Sequence, residues 1–74
     1  MEAYEQYFII CKNGETLTAS RTDWLLFLVN ATKNIKKVEV FEAEGFYIRR
    51  KIRTLHTKKE VREYIRAKED KSNG

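Results

Sequence analysis

The sequence has no proline, one cysteine, one histidine and three glycines. Without proline there is no polyproline ligand motif and no Pro-rich linker. Cys11 is alone, so no internal disulfide can form and a stapled secreted scaffold is excluded. One cysteine and one histidine, His56, cannot complete a standard zinc site. Gly14, Gly45 and Gly74 do not compose a phosphate-binding loop. The longest apolar run, Trp24 to Val29, falls far short of the ~20 residues that span a bilayer. "MEAYEQ" lacks the basic start and apolar stretch of a secretory signal. The expectation is a cytoplasmic protein with no membrane span, no metal and no cofactor.

What remains is ample for a folded chain. Of 74 residues, 42% are hydrophobic and 12% aromatic, which suits a globular domain rather than a disordered segment. A single domain over residues 1–70 is expected, with a frayed tail at 71–74. A domain this small buries only about 60% of the surface its unfolded chain exposes, so its core is thin. The net charge of +4 is unevenly spread: residues 1–48 sum to −2 and residues 49–74 to +6. Such asymmetry bears on attraction to polyanions, not on fold.

Six elements follow from pattern. "YEQYFIICKNGETLTAS" reads as a β-hairpin, because Asn13-Gly14 suits a two-residue turn with two positive φ angles. That turn pairs Ile10 with Leu17 and Phe8 with Ala19, and sets Tyr7, Ile9 and Cys11 on the opposite face. The first strand, apolar on both sides, is expected in the sheet centre and the Thr-rich second strand at an edge. "SRTDWLLFLVNATKN" reads as a helix capped by Ser20 or Thr22, with Trp24, Leu25, Leu28 and Ala31 at helical spacing. Leu26, Phe27 and Val29 make its apolar stripe unusually wide.

"KKVEVFEAEGFYIRRKIRTL" reads as a second hairpin. A three-residue loop, Ala43-Glu44-Gly45, sorts Val38, Val40, Phe46, Ile48 and Ile52 onto one face. Glu39, Phe41, Tyr47, Arg49, Lys51 and Arg53 then occupy the other, with Arg50 at the rim of the core. Finally, Thr57-Lys58-Lys59-Glu60 is a capping box opening a helix whose narrow face holds Val61, Tyr64, Ile65 and Lys68. The order ββαββα implies an α+β fold: a four-stranded antiparallel or mixed sheet with two helices on one face. The expected strand order is 2-1-4-3.

Catalysis is not expected. Cys11 lies mid-strand and His56 precedes a helix cap, so they read as a small hydrophobe and a turn residue. The open sheet face is the functional candidate, carrying Tyr7, Ile9, Phe41, Tyr47, Arg49, Lys51 and Arg53, with Lys58 and Lys59 at the last helix's N-terminus. Rings interleaved with cations suit single-stranded nucleic acid, since bases stack while Arg and Lys hold phosphates. The alternative is a protein interface, because Tyr, Trp and Arg anchor interfaces and a wide apolar helix stripe needs cover. That would make the chain a homodimer, adaptor or inhibitor, in the style of small accessory proteins of phages and mobile elements.

Overall fold

The chain follows the order β1 (Ala3–Cys11), β2 (Thr16–Ala19), α1 (Thr22–Ala31), β3 (Ile35–Glu44), β4 (Tyr47–Leu55), α2 (Lys58–Asn73). This comes from a computed structural model that describes residues 2–73, with side chains through Asp70. Of the tail expected to fray at 71–74, the backbone of 71–73 continues α2 and Gly74 lies outside the described residues. No described helix is long and apolar enough to cross a membrane.

All four strands pair antiparallel in the order β2-β1-β3-β4. The expected α+β architecture is present, and β1 is central with β2 at an edge. The expected order of β3 and β4 is reversed. Val38, Val40 and Ala43 are 1% exposed or less, whereas residues 47–53 of β4 are all exposed. β3 alternates, so Val38 and Val40 fill the core while its glutamates meet the cations of β4. β4 holds four cations within residues 49–53 and takes the edge, where such charges oppose further strand pairing.

Both hairpin loops differ from expectation by one residue. At the first, Gly14 N–H donates to Cys11 O at 3.0 Å and Cys11 N–H to Glu15 O at 2.8 Å. The loop is thus Lys12-Asn13-Gly14, a turn closed by a left-handed glycine at φ +92°. Register moves accordingly: Tyr7 faces Ala19 and Ile9 faces Leu17. A one-residue slip turns every side chain over. Tyr7, Ile9 and Cys11 therefore point under the helices, and Phe8 and Ile10 occupy the open face.

The second hairpin uses a two-residue turn. Glu44 pairs with Tyr47, and Gly45-Phe46 lies between them with Gly45 at φ +60°. Glycine at the first central position is the type II′ requirement. The register then shifts twice along β4, between its partners Glu42 and Ala43 and again between Val40 and Phe41. These two bulges skip Arg49 and Ile52, and they deliver Leu55 opposite Val38. Val38 and Val40 do face the core, as their pattern requires.

That core joins Tyr7, Ile9, Ala19, Val38, Val40 and Leu55 of the sheet to Leu25 and Val29 of α1 and Val61 and Ile65 of α2. Complete burial of a side chain such as Ile9 or Leu25 is worth roughly 1.5–3 kcal/mol. In α1 the covered residues are Leu25 and Val29, while Trp24 and Phe27 stack at 5.1 Å on the exposed side. No side chain caps α1; Arg21 holds the N-cap position. α2 does use Thr57, whose Oγ1 accepts from Glu60 N–H at 3.1 Å, while the Glu60 carboxylate accepts from His56 N–H.

Candidate interaction surface

β4 carries its cations opposite three carboxylates of β3. Lys51 Nζ reaches Glu39 at 2.9 Å, Arg50 reaches Glu42 at 3.6 Å and Arg49 reaches Glu44 at 3.0 Å. Glu39 is held below the usual carboxylate range, chiefly by the hydrogen bond from Lys51. The cationic strand foreseen from sequence is thus largely neutralised by its neighbour. Arg53 is the exception: it lies over the Tyr64 ring at 5.4 Å, on the helix side of the sheet.

The residues expected to form one face are dispersed. Phe41 and Lys51 do share the open face, where Phe41 meets Phe8 edge-on at 5.1 Å. Tyr7 does not: it is 2% exposed beneath the helices, because the first hairpin's register is one residue off the expected one. Ile9 is buried for the same reason. Arg53 leaves the open face because the second β4 bulge turns it over. Tyr47 and Arg49 lie at the far end of the hairpin. Lys58 donates to Thr32 O at 2.9 Å, tying α2's first turn to the end of α1, and Lys59 is exposed beside it. Arg50, expected at the rim, has a 70% exposed side chain.

The most conspicuous feature is the tip of the β3–β4 hairpin. Phe46 is 99% exposed and Tyr47 80%. Ile48 and Ile52 are exposed nearby, as is Tyr4, whose hydroxyl donates to Gly45 O at 2.9 Å. That bond ties the turn to β1, and the Arg49–Glu44 pair braces its base. The tip is therefore held in place while its two rings stand in water. The sequence reading set Phe46 on the buried face. The signal that identifies it is "EGFY" itself: a Gly-X pair forms a two-residue type II′ turn, and X projects from the end.

Behind the tip, on the helix side, Glu5 gathers a network invisible to spacing. Its Oε1 accepts from Tyr64 Oη at 2.7 Å and Tyr7 Oη at 3.0 Å, and its Oε2 meets Lys68 Nζ at 2.6 Å. Burial pushes the Glu5 pKa up, but the hydrogen bonds from Lys68, Tyr64 and Tyr7 outweigh it, and the net shift is downward. Burial, helped by the Glu5 charge, pushes both phenols well above their ordinary value of 10.0. Beside this network opens a cavity of about 700 Å³, lined among others by Tyr4, Glu5, Glu42, Ile52, Lys68 and Glu69. Among the described residues, no group of three or more His, Cys, Asp and Glu is placed to hold a metal ion.

No family is matched by this chain, and neither the curated proteins nor the solved structures include a detectable relative.

Proposed function

We propose that this chain is a small non-catalytic binding protein that engages protein through the tip of its β3–β4 hairpin. The observation that carries this reading is the exposure of Phe46 and Tyr47, 99% and 80%, on a turn whose geometry requires only Gly45. Rigid aromatic anchors on a braced support lose little entropy on docking, and Tyr with Arg is the usual composition of interface hot spots. Arg49 and Arg50 follow the rings on β4, each paired with a carboxylate of β3. The ion-paired state of Arg49, Arg50 and Lys51 weighs against a polyanion as the partner, since phosphates would have to displace three carboxylates. A buried, unpaired Cys11 suits a reducing compartment such as the cytoplasm.

The test is photo-crosslinking in the cells that make the protein. Phe46→benzoylphenylalanine is expected to trap a protein at the tip, and the same probe at Thr18, on the open sheet face, is expected to trap none. Adducts with nucleic acid alone, or equal protein adducts from both positions, would overturn the reading. A short single-stranded DNA or RNA bound tightly at physiological salt would restore the polyanion.

A further inference from the structure

We propose that the partner of the tip is a second copy of this chain, each copy lodging Phe46 and Tyr47 in the other's cavity behind the tip. The inference rests on the protein-binding reading above and names the occupant.

Shape favours this pairing. A projecting aromatic pair and an open cavity of about 700 Å³ lie on the same end of the same molecule. The recess is open rather than enclosed, so its about 700 Å³ offers two rings a surface to lie against. The cavity sits where the sheet outruns its helices. Ser20 and Thr22, at the start of α1, line one side, and Lys68 and Glu69 of α2 line another. Glu42 marks its level on β3, and the Gly45 turn lies three residues further on, which is about 10 Å of strand.

Residues 44–50 hold Glu44, Arg49 and Arg50, a net +1. The cavity is lined by Glu5, Glu42, Glu69 and Lys68, a net −2 that becomes −1 when Arg50, the partner of Glu42 in the same chain, is counted with it. Glu5 stays ionised through its three donors. Arg50 of each copy already meets its own Glu42, so the cation that an entering tip brings to the cavity is Arg49, and the carboxylate it approaches is Glu69, which favours register and encounter.

Because knob and cavity are neighbours on one surface, a two-fold axis can seat both tips at once, giving a closed dimer rather than an open fibre. Each buried aromatic contributes roughly 150–250 Å², so four rings and the walls they cover reach the ~1,200 Å² of specific interfaces. Edge-to-edge pairing of two β4 strands is a poorer route to a dimer. It would bring the Arg49, Arg50, Lys51 and Arg53 clusters together, and the bulges at Arg49 and Ile52 interrupt the ladder.

The deciding experiment is sedimentation of the full chain from micromolar to millimolar concentration, followed by isotope-filtered NOE measurement on a mixed labelled sample. The expected result is twice the 8.8 kDa chain mass at the upper end, with intermolecular NOEs from the Phe46 and Tyr47 rings to the Ile52 and Ala3 methyl groups. Phe46→Ala should raise the dimer dissociation constant at least tenfold, and Glu69→Lys, which leaves the tip intact, at least threefold. A monomer at millimolar concentration overturns the inference. So does a dimer whose NOEs arise from Trp24 and Phe27 of α1 or from the Phe8–Phe41 face. If the chain is monomeric while the crosslinker at position 46 traps a different protein, the self-association fails and the binding role of the tip stands.

Discussion

The β1–β2 hairpin turns through Lys12-Asn13-Gly14 and the β3–β4 hairpin through Gly45-Phe46, each with one glycine at positive φ. In the first, every turn residue serves the turn: the Asn13 side chain accepts from Glu15 N–H at 3.0 Å, and no apolar group is exposed. Its strands end under the helices. In the second, Gly45 meets the backbone requirement and Phe46 adds nothing to it. Both turns are tight, so tightness does not explain the phenylalanine. What separates them is cover. The helices shelter the sheet at the level of Ile9 and Val38, and they stop short of the Gly45 turn.

The sheltered end should be the costliest to damage. Ile9→Ala, at a fully buried position, is expected to cost about 2–5 kcal/mol, which threatens a domain of this size; urea denaturation reads it directly. A cost under ~1 kcal/mol would mean that the faces of β1 are not sorted as described.

Next in size is Glu5→Gln, expected to cost about 1–3 kcal/mol at neutral pH, because a charged acceptor for three donors is lost. Its pH signature is specific. The folded pKa lies below the ordinary 4.5, so the native state binds the proton less readily than the unfolded chain. The stabilisation is present above pH 4.5 and is lost as pH falls through the folded value. Tyr7 and Tyr64 give the opposite limb, since their raised values make stability decline as pH climbs past 10.0. Denaturation from pH 2 to 11 should show Glu5→Gln flattening the acid limb and Tyr64→Phe flattening the alkaline one.

These residues mark the limit of what the chain reveals before folding. Element order, the central place of β1, the inward Val38 and Val40 and the Thr57 cap were all legible, because each depends on neighbours within one element. The register of the first hairpin was not. Both candidate loops put Gly14 in a left-handed conformation, and β1 is apolar on both faces, so Phe8 with Ile10 sorted as well as Tyr7 with Ile9. The second hairpin met its sorting requirement with two bulges in β4 instead of a longer turn, and bulges leave no local mark in "YIRRKIR". Glu5 and Tyr64 are 59 positions apart, and Glu5 shares the face of Tyr7, which the expected register turns away from the helices.

Smaller effects compare the two turns themselves. Gly14→Ala and Gly45→Ala each force a Cβ into positive φ and should cost about 1–2 kcal/mol apiece. Nothing lies within 4 Å of a Cβ at Gly14, so the penalty there is purely conformational. Similar losses at both sites in thermal melts would establish that the glycines do equal work. A neutral Gly45→Ala would show that the tip relaxes to another turn, which undermines the idea of a braced anchor.

The smallest expected effect carries the comparison furthest. Phe46→Ser removes a ring that is 99% exposed, from a position the turn does not depend on, so the monomer should lose no more than ~0.5 kcal/mol. In a domain of this length that is a shift of about 2–4 °C in Tm. The measurement must be made at low micromolar concentration, where association does not contribute to the melt. At such dilution an unchanged Tm leaves only an external reason for a phenylalanine at a solvent-facing turn. A drop well beyond 4 °C would mean that the ring packs on its own chain, against Tyr4 or Ile48, and the tip would then be a structural lid of the hairpin rather than an anchor. Asn13→Ala at the other turn sets the scale: it removes the acceptor for Glu15 N–H at an exposed site and should cost more than Phe46→Ser, although it deletes far less surface.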